Sequence, residues 1–223
     1  AIFPMWDANQ DMFVFFSNVS MTGSATQYDI GLSAAKYNSS TGKMDYSTRY
    51  QVDADSYTTA GYPITACNNS ESASDDRWVV YRRTSSSAAI QYNVVKLATF
   101  SAGQSIYDSI GSWITPHSSG TTPMGHMNAP DMNRIAIGFR HSANVNQWKL
   151  YTRSGNNLSL VGNQGVLQGG QWPYVFLRVR STSTRADFIS TNRSGSYYSN
   201  YSTNAYAFQI TNASHTSSST FAM

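Results

Sequence analysis

Carboxylates are the first side chains to weigh, because glycoside hydrolysis needs two of them flanking the bond, one protonated and one ionised. The chain has one glutamate, Glu71, and eleven aspartates. Asp75, Asp76 and Asp131 stand ahead of apolar triplets and read as turn caps, whereas Asp29, Asp45 and Asp108 fall inside apparent strands or at their ends. One Glu in an Asn- and Ser-rich loop is a thin basis for a general acid. His117, His126, His141 and His215 lie far apart and form neither HxH nor HExxH, so no zinc site is expected. The acidic pairs Asp53/Asp55 and Asp75/Asp76 do not extend into the ligand series of an EF-hand. Cys67 is the lone cysteine, so no intrachain disulfide can form, and it reads as a small buried apolar residue. GxSxG is absent, and GNQGVLQGG at 162–170 lacks both P-loop and Rossmann spacing. The expectation is a non-enzymatic chain with no metal and no cofactor.

Aromatic and amide groups remain. Five Trp and 15 Tyr stand among many Asn and Ser, offering apolar ring faces beside neutral hydrogen-bonding groups. Such a mixture suits sugar rings, whose C–H faces lie on aromatics while their hydroxyls bond to amides; it suits protein interfaces equally. Trp78 and Trp148 lie within alternating runs and are expected in the core. Trp6, Trp113 and Trp172 sit beside Pro or near strand ends and are better placed to bind. Trp172, with Gln171 and Tyr174 after the Gly169-Gly170 turn, is the leading candidate, followed by Trp113 and Trp6.

The charge pattern narrows the partners. Charged residues make up 12% of the chain, about half the usual share, and the net charge of +3 comes from Arg and Lys spread singly apart from Arg82-Arg83. No basic run follows a phosphate backbone, so nucleic acid is not expected. No stretch reaches the roughly 18 apolar residues of a membrane span, so no membrane insertion is expected. Seven Asn-x-Ser/Thr sequons, from Asn18 to Asn212, permit glycosylation without requiring it.

These side chains must be positioned by strands, because helix formers are scarce and short apolar alternations are separated by turn residues. Met12–Ser17, Gln27–Tyr37 and, after the turn SSTGK, Met44–Val52 trace three strands. Arg77–Arg82, Ile90–Phe100 and Ile106–Ile114 repeat the path, with SAGQ as a turn. Arg134–Arg140, Gln147–Arg153 and, after SGNN, Leu158–Val161 repeat it again. A fourth pass is blurred: Pro173–Val179, Ala186–Thr191 and Tyr197–Tyr201 would be its strands, with Ala205–Ile210 left over. Repetition by supersecondary unit points to an all-β repeat architecture of antiparallel meanders, with possible blades at 1–62, 63–122, 123–168 and 169–223 of a single domain.

Two of the passes also share what precedes them. Residues 73–81 read ASDDRWVVY and residues 129–137 read APDMNRIAI, and DANQDMFVF from Asp7 fits more loosely. This resembles the S-P-D-G-R-x-I-A-[FY] signature of TolB and WD40-like β-propeller repeats, with Asp76 and Met132 at the position of the family's Gly. The resemblance implies a small β-propeller in which Asp75 and Asp131 cap the turn entering the second strand of a blade. Start-to-start spacings of 66 and 56 residues exceed those of a compact blade, and a β-sandwich or jelly roll remains the alternative fold.

The functional expectation is a recognition domain for a cell-surface glycan or receptor, as in a phage tail, virion appendage, tail fiber or secreted lectin-like protein. It would act in an extracellular setting or on a virion surface, where a homo-oligomer would close its sheet edges. Two alternatives differ in class. One is a structural virion or assembly subunit whose polar strands pack against copies; the other is a propeller-type glycoside hydrolase built on Glu71.

Overall fold

In the computed structural model the described residues are 2–19, 29–53, 66–68, 72–83, 90–116, 122–129, 134–142, 145–167, 172–181, 185–194, 202–211 and 215–222. They form an all-β structure of antiparallel sheets, with one 3-10 turn at Ala73–Asp75 as the helical element among them.

The first sheet contains β1 (Ile2–Asp7), β2 (Met12–Val19), β3 (Asp29–Asn38), β4 (Lys43–Tyr46) and β5 (Tyr50–Asp53). The order is β1-β2-β3-β4, with β5 also paired to β3. The second sheet runs β6 (Ala66–Asn68), β7 (Arg77–Arg83), β8 (Ile90–Leu97) and β9 (Tyr107–Ile110); the third runs β10 (Thr122–Ala129), β11 (Arg134–Ser142), β12 (Val145–Ser154) and β13 (Asn157–Leu167). The fourth runs β14 (Trp172–Ser181), β15 (Arg185–Ser194), β16 (Ser202–Thr211) and β17 (His215–Ala222). Each is an open meander, and none closes on itself among the described residues. Contacts divide the chain into two compact units, Ala1–Thr115 and Pro116–Met223.

The three-strand passes read from the sequence become sheets of four strands, or five in the first, because each gains a strand that carries little periodicity. β1 contains Pro4, β6 is three residues long, and β10 holds Pro123 and Gly125 at a register shift. In the fourth sheet Ala205–Ile210 is not left over: it lies in β16, the third strand, while Tyr197–Tyr201 falls outside the described residues. The return expected over Met44–Val52 is broken into β4 and β5. At the break, the Ser47 N–H donates to Ala34 O (2.9 Å) and the Ala34 N–H donates to Ser47 Oγ (2.7 Å). Thr48 turns away to donate to Gln104 O (3.0 Å), forming a parallel bridge with Ser105.

In the first unit, alternation sets the core. Met12, Val14, Phe16, Ile30, Leu32, Ala34 and Val52 from the first sheet pack in one cluster with Trp78, Val80, Val95 and Leu97 of the second and with Ile106 just ahead of β9. Period-2 side-chain placement puts every second residue of β2 and β3 on this layer. Phe16 and Trp78 meet at its centre, with ring centroids 5.9 Å apart. The second sheet is buried on its other face too, where Val79, Tyr81, Tyr92 and Val94 are nearly inaccessible. The other face of the first sheet is mixed: Trp6, Phe13, Tyr37 and Tyr46 are exposed on it, whereas Ser17, Gly31 and Ala35 are buried. In the second unit, Ile135, Tyr151 and Leu158 are buried, and a two-residue turn joins β12 to β13 with Gly155 at φ +57°, a conformation that costs other residues more.

Candidate functional site

The outer face of the first sheet is built by the residues that alternate with its core. Register aligns Trp6 of β1 with Phe13 of β2, Ala35 of β3 and Tyr46 of β4 in one row across four strands. Trp6 is 52% exposed, Phe13 43% and Tyr46 63%, well beyond what aromatic rings in a sheet ordinarily show to water. The Trp6 and Phe13 rings meet edge to face at 5.0 Å. Between Phe13 and Tyr46 stands Ala35, so the rings rise on either side of a small residue; their strands lie about 10 Å apart. The next row holds Pro4, Phe15 and Ser33, and exposed Tyr37 and Ile2 extend the face at its two ends.

One guanidinium enters this face. Gly31 lies in the row of Ile2, Ser17 and Gln51. A side chain there would come within 2.5 Å of Ser17 Oγ and 3.0 Å of Arg49 Nε. Absence of a side chain at Gly31 is therefore what lets the Arg49 guanidinium lie down on the sheet. Arg49 itself is exposed and follows the break between β4 and β5.

A second polar feature is interior. Asp7 and Asp76 are fully buried at the ends of β1 and just ahead of β7, where their carboxyls share a hydrogen bond. Gln10 reaches across from the first sheet's turn. Its side-chain amide donates to Asp76 Oδ2 and to Ala98 O, both at 3.1 Å, and its carbonyl accepts from the Phe100 N–H at 2.8 Å. Asn9 donates from its backbone to Asp7 (2.9 Å) and from its side chain to Asp76 (3.4 Å). Burial first, and then the hydrogen bond and charge of Asp7, push the Asp76 carboxyl up to about 8, against the lowering effect of the Gln10 and Asn9 bonds. Asp76 is thus no turn cap, contrary to the expectation from sequence: it is half of a polar clasp joining the turns of two sheets. Its neighbour Asp75 occupies the 3-10 turn and pairs with Arg77.

Full burial keeps this carboxyl pair from a polymeric substrate. The adjoining open cleft, of about 430 Å³, is lined by Asn9, Gln10, Asp11, Lys36, Ser74, Thr99 and Phe100, and Lys36 Nζ donates into it to Gln10 O at 2.5 Å. Other aspartates are engaged as well: Asp108 pairs with Lys96 at 2.9 Å, which holds its carboxyl below the usual range, and Asp45 accepts from Asn38. Glu71 and Asp131 lie outside the described residues.

The residues picked out from the sequence are dispersed. Trp6 stands in the aromatic row. Trp113 is half-buried against the core of the first unit, with the Arg82 guanidinium 4.0 Å above its ring. Trp172 and Tyr174 lie in β14, but their side chains fall outside the described residues, as does Gln171 altogether. Trp78 is in the core. Phe13, Tyr46, Arg49 and Gly31 were missed. Period-2 parity from the buried Met12, Val14 and Phe16 was the available signal for Phe13; Gly31 and Arg49 gave none, because their meeting depends on the β4–β5 break. Among the described residues no helix is long and apolar enough to cross a membrane, and no group of three His, Cys, Asp or Glu could hold a metal ion. Compared with family models, curated proteins and solved structures, the chain matches none of them, and the site has to be read from its own residues.

Proposed function

We propose that this protein is a non-catalytic recognition domain that binds a cell-surface glycan or receptor, in an extracellular or virion-surface setting, through the outer face of its first sheet. The observation that carries the reading is the solvent-exposed row of Trp6, Phe13 and Tyr46 on one register line. Exposing rings of this size to water costs stability unless something covers them. Flat rings on the same face as the partly exposed Ser33 and Gln51 suit pyranose C–H faces and hydroxyls together. A small propeller is the proposed higher-order arrangement; it is supported by successive four- and five-strand antiparallel sheets and by the stretch 73–76 leading into the second strand of its sheet.

The test is binding of the free protein to an array of cell-surface glycans, with its native mass measured in parallel. Specific sugars bound by a defined species are the expected result. No sugar bound, together with concentration-dependent assembly, would move the aromatic face to subunit packing. Release of reducing sugar that Glu71→Gln abolishes would overturn the non-catalytic reading.

A further inference from the structure

We infer that Tyr50 and Tyr107 form a site of oxidative coupling, at which a one-electron oxidant joins the two rings and staples the first sheet to the second. The inference is independent of the recognition reading above.

Backbone geometry sets up the pair. Thr48 and Ser105 form a parallel bridge, and the Thr48 N–H donates to Gln104 O at 3.0 Å. Two residues further along each chain stand Tyr50 and Tyr107, and period-2 placement returns both side chains to the face that the bridge residues share. Strands running the same way send equivalent side chains out in the same sense, so the rings lie side by side. Their centroids are 4.0 Å apart and their planes are 11° from parallel. Carbon atoms of the two phenols therefore face each other at van der Waals contact, roughly 3.5–4 Å. Each ring is anchored by its own sheet, since Tyr50 pairs with Leu32 of β3 and Tyr107 with Leu97 of β8. Tyr107 packs against the core cluster, and Tyr50 lies over it with 36% of its surface open, enough for a small oxidant to reach.

The other tyrosines lack this combination. Tyr81 and Tyr92 are nearly inaccessible, with centroids 5.7 Å apart and planes tilted by 41°, so neither ring overlap nor an approach for the oxidant is provided. Tyr37 and Tyr46 are more exposed, but among the described residues no tyrosine ring stacks on either. Cys67 is the lone cysteine, so a disulfide cannot join the two sheets in its place.

The coupling needs an oxidant of the one-electron class that peroxidases generate from hydrogen peroxide. Each phenol gives one electron to the oxidant and its hydroxyl proton to water. The two phenoxyl radicals pair their electrons in a new C–C bond between carbons ortho to the hydroxyls. The hydrogen on each of those carbons then moves to its oxygen and restores both phenols, so the net loss is two electrons and two protons.

The test irradiates the dilute full chain with ruthenium tris-bipyridyl and persulfate, which generate a diffusible one-electron oxidant. The expected product is a monomer that gains dityrosine fluorescence, loses the mass of two hydrogens, and yields on proteolysis a linked peptide pair containing Tyr50 and Tyr107. Tyr50→Phe and Tyr107→Phe keep the ring stack and so the fold, and each should abolish that linked pair, whereas Tyr81→Phe should leave it. Because the link closes the loop between the two residues, the coupled monomer should melt about 10 °C above the Tyr107→Phe variant treated alike. A monomer without the linked pair, or links confined to dimers through Tyr37 and Tyr46, overturns the site. A linked monomer that melts with the treated variant overturns the staple.

Discussion

Gln10 satisfies its whole side chain in one place: both donors and the acceptor are used within the clasp to Asp76, Ala98 and Phe100. Removing it would take this partner from the partly buried Ala98 carbonyl and Phe100 N–H, a loss of at most about 1–3 kcal/mol per group. Gln10→Ala is therefore expected to lower the denaturant midpoint without altering the far-UV circular dichroism of the refolded protein. Asp76 makes a pH-dependent prediction. Its folded-state value is raised from 3.8 to about 8, so the proton binds more tightly in the native state than in the unfolded chain. The stability this contributes is fully present below about pH 4 and is lost as pH rises toward 8. Thermal midpoints measured from pH 5 to pH 9 should fall in the wild type through this group, and Asp76→Asn should flatten that part of the profile. A profile of the same slope in both proteins would show that the carboxyl is not held protonated. Nothing in the residue order marks Asp76 for this role. Its neighbour Asp75, two residues from Arg77, looks the same in sequence but lies in the turn.

The elements show why strands are more legible than the sites they build. β2, β7 and β8 announce themselves by alternation, because Met12, Val14 and Phe16, or Trp78 and Val80, must face one core layer. β1, β6 and β10 do not, because an edge strand draws its stability from the neighbour's ladder and tolerates Pro and Gly. The β4–β5 break was invisible for a different reason. It is made by Ser47 hydrogen-bonding to Ala34 and by Thr48 pairing with Ser105, contacts across more than 50 residues in the second case. Since that break also delivers Arg49 to Gly31, the cationic end of the face could not be read locally, while Trp6 at its aromatic end could. The core itself gives a direct test. Trp78 is 2% exposed and packs on Phe16, so Trp78→Ala should destabilise the protein by about 3–5 kcal/mol, read as a lowered urea midpoint. A loss under about 1 kcal/mol would mean that the two sheets do not share this core.

At the scale of the whole molecule, the chain is two compact units, and the hydrophobic cluster of the first lies entirely between Met12 and Ile106. A layer contributed by two sheets is enough to support independent folding at this length. A fragment of residues 1–115 is accordingly expected to unfold cooperatively and to give a β-type circular dichroism spectrum. Non-cooperative melting of that fragment would show that the second unit is needed to complete it. The all-β class was legible from composition, since few Lys, one Glu and 15 Tyr leave little material for helices. How the sheets are arranged beyond each unit was not, because the same alternation serves a propeller and a sandwich equally.

The account depends most on the row of Trp6, Phe13 and Tyr46, and one measurement addresses it directly: glycan-array binding of the Trp6→Ala/Tyr46→Ala double variant beside the wild type. Both rings are on the surface, so the variant is expected to melt within a few degrees of the wild type. The prediction is that the sugars bound by the wild type lose their signal in the variant. Undiminished binding by the variant, or a wild type that binds no glycan at any concentration tested, would contradict recognition through this face.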